Sequence, residues 1–376
     1  MTSTPPAEPG GRATDTIDPF STGPLPPDPT APAGRLPRLA ALLTGVVALA
    51  AGGLLGVILG WGVAPVVAVA WVVFVVAFPL WSLLVENRRK AVDRLVTTLV
   101  WTAFVLAMIP LVSLMVTVVA KGAPAISGNF LTADMSGRAL LDGSGGIFHA
   151  LVGTLLVTVI AAVIAVPVGV LTAVWLVEYG KGTRLAGVIT FLVDVMTGIP
   201  SIVAGLFAFA FFQVVLAEPL PRLAVGGGVA LSLLMLPTVI RAVEEMLKLV
   251  PEDLREASYA LGVPKWRTIV KVVLPTAVAG IVTGVTLAVA RVAGETAPLL
   301  LIVGTAYQTN WNPFDGGTAT LPTFIFGSLS KTSHFKYGDA WSDAIWGAAL
   351  VLIVIVMTLN VVARVIGSVF APKTGK

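Results

Sequence analysis

The chain has 376 residues, 56% of them hydrophobic and only 12% charged, with a mean hydropathy of +0.94. A soluble globule carries about twice that charged fraction, so the composition is that of an integral membrane protein. The formal charge of +4 is too small to point to nucleic acid, and the lack of cysteine excludes disulfides, thiolate metal sites and thiol nucleophiles.

The chain opens on a Pro-, Gly-, Thr- and Asp-rich stretch without apolar periodicity, and residues 1–38 are expected to be a disordered tail. It lacks the basic n-region and apolar core of a signal peptide, so no cleavage is expected. Apolar runs long enough to cross hydrocarbon follow at 39–60, 63–85, 95–120, 147–177, 185–216, 223–240, 276–303 and 341–370, about eight spans. The first two meet in a tight turn containing Trp61 and form a two-helix segment over 39–94. Gly52, Gly56 and Gly60 recur every four residues in the first run, a small-residue face for close helix packing. Pro110, Pro167 and Pro200 lie inside longer runs and predict tilts or kinks rather than extra spans.

Basic residues divide unevenly between alternate connections. One set holds Arg35, Arg38, Arg88, Arg89, Lys90, Arg94, Lys181, Arg184, Arg241, Lys248, Arg255, Lys265, Arg267, Lys271, Lys373 and Lys376; the other holds only Lys121, Arg138, Arg222, Lys331 and Lys336. The positive-inside rule then puts both termini and the 241–275 connection in the cytoplasm.

The outer loop 121–146 contains the flexible turn Asp142-Gly143-Ser144-Gly145-Gly146. No G-x-x-x-x-G-K-[ST] occurs anywhere, so the chain is not expected to bind ATP itself. The second outer loop, 304–340, carries Trp311 and Phe314 among turn residues, then Leu321-Pro322-Thr323-Phe324; these suit a partner protein or anchoring at the membrane interface equally. His149 and His334, the two histidines, read as boundary or loop residues rather than ligands.

Two places inside the apolar runs carry polar chemistry. In the seventh, Arg291 and Glu295 are four residues apart, so a continuous helix would pair them on one face, with Gly280, Gly284 and Ala288 continuing that face. An arginine near mid-membrane costs about 3 kcal/mol or more unless paired or hydrated, and its planar fork of donors matches an oxyanion. A buried pair locking two helices is the plainer reading. In the fifth run, Asp194 precedes Thr197-Gly198-Ile199-Pro200-Ser201. There Pro200 frees a carbonyl, and the Thr197 and Ser201 hydroxyls suit a polar groove; a kink without further role fits as well.

The one long polar segment is 251–275. Pro251, Glu252 and Asp253 open a helix on which Leu254, Ala257 and Leu261 form a narrow apolar stripe, with Arg255, Glu256 and Ser258 elsewhere. Gly262 ends it, and Pro264 opens a second helix carrying Lys265, Trp266, Arg267 and Lys271. The residues alone fit an interfacial loop or a docking knob.

The spacing Glu256-Ala257-Ser258, then Gly262, then Val272-x-Leu274-Pro275 resembles the EAA signature of bacterial ABC-importer permeases, with Ser258 in place of the second alanine and Val272 in place of isoleucine. Gly198-Ile199-Pro200-Ser201-Ile202-Val203-x-Gly205 and Ala290-Arg291-x-Ala293-Gly294-Glu295-Thr296-Ala297-Pro298-Leu299-Leu300 resemble the permeases of the phosphate (Pst) ABC importer, the A-type subunit more than the C-type. The likeness runs over roughly three quarters of the chain, to its end.

It implies an all-α polytopic protein with a type-1 permease core of six transmembrane helices, the two N-terminal spans being an addition. The core would occupy 95–376, its type-1 domain about 147–370 and its coupling loop 241–275. Implied too is a non-enzymatic subunit of the cell membrane without a cofactor of its own. It would pair with a C-type permease, dock on a cytoplasmic ATPase dimer that uses the ATP, and receive phosphate from an extracytoplasmic binding protein. Glu256, Ala257, Ser258, Gly262, Leu274 and Pro275 would couple to the ATPase, and Arg291, Glu295, Thr197 and Ser201 would line the phosphate path. An importer for sulfate or molybdate, or an ATP-independent secondary anion transporter, remains the alternative.

Overall fold

The structure, a computed structural model, describes residues 34–370. The expected tail, save its last five residues, and Lys373 and Lys376 lie outside the described residues. Every regular element among those described is helical. The chain divides into two compact units, one ending at Leu111 and one starting at Val112.

The first unit contains α1 (Ala40–Leu59), α2 (Val63–Val85) and most of α3 (Arg88–Gly122). Two of the three spaced glycines pack as expected. A Cβ on Gly52 would meet the Val66 carbonyl oxygen at 2.7 Å, and one on Gly56 would meet Val66 Cγ2 at 2.2 Å, so only glycine lets α1 and α2 come this close. Gly60 does not share that role: it ends α1 in the left-handed region (φ +64°) with open space around it, which is what the tight turn at Trp61 needs. After α2, the Glu86 carboxylate accepts the Leu36 N–H (3.2 Å) and the Ser82 hydroxyl (2.8 Å), and pairs with Arg94 at 2.9 Å. Burial pushes its pKa up, but the Ser82, Leu36 and Arg94 donors outweigh that and hold it at about 2.

In the second unit, α4 (Phe148–Val174) runs on as a π-helical turn, Trp175–Tyr179. Then come α5 (Arg184–Thr197), α6 (Ser201–Leu216), α7 (Ala224–Lys248), α8 (Glu252–Ala260), α9 (Lys265–Val292), α10 (Leu321–Ser328) and α11 (Gly338–Phe370). The main core joins α4, α7 and α9 through Val157, Ala161, Met235, Val239, Val243 and Ile281. A second cluster, around Phe130, Met135, Ile147, Phe324 and Trp341, ties the loop helices to the starts of α4 and α11.

Among the described residues seven helices are long and apolar enough to span a bilayer, and α5 with α6 makes an eighth candidate bent by 106°. Two expected spans therefore change form. The run 185–216 has the expected kink at Pro200, sharpened to a full break, because Pro200 offers no N–H to continue α5 and instead heads α6. The run 276–303 stops being helical at Val292, where the chain turns through Gly294 towards the short helix Leu299–Ile302.

Candidate anion cavity and docking knob

The break between α5 and α6 opens a cavity of about 280 Å³. Thr197, the last residue of α5, and Ser201, the first of α6, line it; Leu234, Pro237 and Thr238 of α7 and Arg291 and Val292 at the end of α9 line it too, with Glu295 just beyond. The four residues expected on a polar path thus meet in one space. The amino-terminal end of α6 lies on the wall with Ser201, adding partial positive charge to the cavity that Arg291 also lines.

The expected helical pairing of Arg291 with Glu295 is corrected by the structure. With α9 ending at Val292, Glu295 leaves the helical register that would stack it over Arg291. Among the described residues, neither side chain makes an ion pair or hydrogen bond. Gly280 and Gly284 do face a neighbouring helix: Cβ atoms there would meet Met246 Sδ at 2.1 Å and Ala242 Cβ at 2.7 Å on α7. The glycines bring α9 and α7 together ahead of the cavity, which Arg291 lines near the end of α9. Asp194, still largely exposed, pairs with Arg241 of α7, and Arg241 also binds Glu244 at 2.8 Å.

The polar segment forms the expected helix, elbow and rising helix. Gly262 sits at φ +77° with nothing in the way of a Cβ, so its role is conformational. The rising helix includes a second π turn, Ile269–Val273, before Leu274 and Pro275. The apolar stripe of α8 faces outward: Leu261 is 83% exposed, and Leu254 and Ala257 are exposed as well. The buried side chains of α8 are Arg255 and Ser258. Ser258 shares a 2.8 Å hydroxyl contact with Thr268 across the elbow, and Arg255 binds Glu178 in the π turn of α4. Glu256 is exposed without a partner among the described residues. The knob is therefore held by polar groups and presents a small apolar surface edged by a carboxylate.

Sequence reasoning missed Glu178, Arg241 and Thr238. Glu178 and Arg241 bind Arg255 and Asp194, 77 and 47 residues away in the chain, where no local spacing announces them, and Thr238 is marked only by its place on the cavity wall. Elsewhere, Trp311 and Phe314 are exposed as expected, but Leu321-Pro322-Thr323-Phe324 is not a contact surface. All four side chains are buried at the start of α10, where Thr320 and Thr323 form a reciprocal cap. His149 is also buried, its ring 5.4 Å from Phe324 and 6.0 Å from Tyr307.

Several candidate membrane spans, a polar cavity at a broken helix and an exposed knob between two spans are the features of a membrane permease. Residues 165–376 match the family described as the inner membrane component of binding-protein-dependent transport systems, and the chain belongs to that family. It is a multi-pass protein of the bacterial inner membrane. It is 49% identical to the phosphate transport system permease protein PstA 1 of Mycobacterium tuberculosis (strain CDC 1551 / Oshkosh) over 280 residues, covering 74% of this chain and 90% of that protein. It is 34% identical over 290 residues to PstA of Pasteurella multocida (strain Pm70), covering 77% of this chain and 97% of that protein. Among solved structures it is similar to a chain of the inward-facing MetNI methionine ABC transporter, with 21% identity, a TM-score of 0.45, and coverage of 63% of this chain and 99% of that one.

Proposed function

We propose that this chain is the A-type permease subunit of an ABC importer that moves inorganic phosphate across the cytoplasmic membrane. The carrying observation is the convergence of Arg291, Glu295, Thr197 and Ser201 on one cavity, in a chain whose relatives are phosphate permeases. A dehydrated phosphate needs donors on several sides at once. Here the guanidinium fork supplies two, the Ser201 hydroxyl and the α6 amide end supply others, the Thr197 hydroxyl donates to the Asp194 carbonyl at 2.6 Å, and Glu295 keeps the site from becoming a permanent trap. Sulfate and molybdate are dianions without phosphate's O–H; a free carboxylate such as Glu295 in the cavity can accept a hydrogen bond from that O–H and repels them. That favours phosphate over the other oxyanions.

Transport is vectorial and involves no covalent chemistry in this chain. A C-type permease would complete the pathway, a binding protein would deliver phosphate from outside, and two copies of an ATPase would supply the energy. The knob would enter a cleft of the ATPase with the Leu254, Ala257 and Leu261 stripe inward and Glu256 at its edge. Residues 39–94 would be an addition to the six-span core, with both termini in the cytoplasm.

The test is labelled-phosphate uptake in cells lacking their own phosphate permease. Arg291→Ala is expected to lower uptake by roughly one to two orders of magnitude, the worth of one or two charge-assisted hydrogen bonds, while the complex still co-purifies. Wild-type uptake by that variant removes Arg291 from the path. Labelled-phosphate uptake that sulfate or molybdate suppresses at a lower concentration than unlabelled phosphate does assigns the cavity to another oxyanion. Uptake that persists after ATP depletion points to a secondary transporter.

A further inference from the structure

The docking helix α8 is fastened to the rest of its unit through few groups. Its apolar residues face away, and only Arg255 and Ser258 have buried side chains. Ser258 joins it to Thr268 at the base of α9. Arg255 does far more. Its Nε and Nη2 donate to Glu178 Oε1 at 3.1 and 3.0 Å, in the π turn that ends α4. Nη2 also donates to the Leu247 carbonyl at 3.0 Å, and Nη1 to the Val250 carbonyl at 2.7 Å, at the end of α7. The remaining Nη1 donor meets Glu252 Oε2 at 3.0 Å. All five guanidinium N–H groups thus have an acceptor, and no other side chain type offers five donors in a rigid plane.

The Arg255 and Glu178 side chains are only 6% and 5% exposed. Stability alone is a weak reason for such a pair, since apolar residues of similar volume commonly do as well or better. What the pair supplies is direction. It holds α8 at one distance and angle to two helices at once, whereas an apolar contact would let α8 slide. Both helices lead to the cavity: α7 lines it with Leu234, Pro237 and Thr238, and α4 packs through Gly169 against Val239, the residue next to Thr238. The π turn fits this use, because its extra residue changes where the α4 end aims its side chains, and such turns recur at functional positions.

We infer that Arg255 is the positioning residue of the transport cycle, through which the docking helix moves α4 and α7 as one body, with Glu178 as its anchor. The coupling part rests on the proposed importer function; the clamp itself does not. When a partner shifts α8, the guanidinium passes the displacement to the two helix ends. Without the clamp, α8 still presents its stripe and Glu256 outward, so docking is kept and transmission is lost.

The test uses the full complex in proteoliposomes, with Glu178→Gln, which keeps the shape and removes the charge. The variant is expected to co-purify with its ATPase and to hydrolyse ATP, while phosphate moved per ATP falls on the order of tenfold. A second readout needs no cargo. The chain has no cysteine, so spin labels at Lys181→Cys and Ala260→Cys are the only ones this chain carries, with partner chains freed of reactive cysteine. Their distance distribution should be narrow with Glu178 and broad with Glu178→Gln. A distribution that stays narrow, or an unchanged ratio of phosphate to ATP, overturns the inference. If the unsubstituted chain carries no phosphate but the labels broaden in the variant, the substrate assignment fails and the clamp stands.

Discussion

Two arginines of this chain are placed in opposite ways, and the contrast defines their chemistry. Arg255 spends all five donors on protein acceptors in a buried setting, so it has nothing left for a ligand. Arg291 has no partner among the described residues and faces a cavity, so its donors are available to an anion. Arg291→Lys keeps the charge and loses the fork, and should transport better than Arg291→Ala but with at least several-fold weaker apparent phosphate affinity in a concentration series. Glu86 gives a prediction in pH. Its folded pKa of about 2 lies below the ordinary 4.5, so the folded state binds fewer protons there. The stabilisation is full above pH 4.5 and is lost as pH falls towards about 2. In thermal unfolding of the detergent-purified protein, wild type should exceed Glu86→Gln at neutral pH, and the gap should close across that window.

Helix packing around the cavity depends on where glycine is replaceable. On α9, a Cβ at Gly280 meets the sulfur of Met246, the far end of a flexible side chain that can swing aside. At Gly284 the obstacle is Ala242 Cβ, which cannot move without its helix. Gly280→Ala is therefore expected to be tolerated, and Gly284→Leu to cost about 1–3 kcal/mol as a lowered melting temperature, with reduced uptake because α9 is pushed from α7 just below Arg291. Equal melting of the two variants would contradict this packing. The broken α5 and α6 pair shows the same dependence on local chemistry. A proline was legible as a kink, but its conversion into a cavity wall required α7 to lie across the break.

At the scale of the whole chain, the uneven split of basic residues predicts which connections face the cytoplasm. Single cysteines in this cysteine-free sequence make that measurable. An impermeant maleimide added to intact cells should label Trp311→Cys and leave Leu261→Cys unlabelled until the cells are opened; both positions are well exposed, at 66% and 83%. Labelling of Leu261→Cys from outside would put the knob beyond reach of any cytoplasmic ATPase and end the importer reading.

Much of this architecture was legible in one dimension. Span positions follow from the length of apolar runs, the elbow at Gly262 from a residue that accepts positive φ, and the permease class from motifs whose spacing survives without the fold. Hydrophobicity, backbone preference and short motifs act over a helical turn or a bilayer thickness, so the linear order of residues records them. The rest waited for tertiary structure: that Glu295 leaves the helix and does not pair with Arg291, that α8 buries Arg255 and Ser258 and leaves its apolar stripe outside, and that Asp194 and Glu178 find arginines on other helices. A charge in a membrane takes whichever partner the packing brings within reach, and packing distances are set by side chains far apart in the chain.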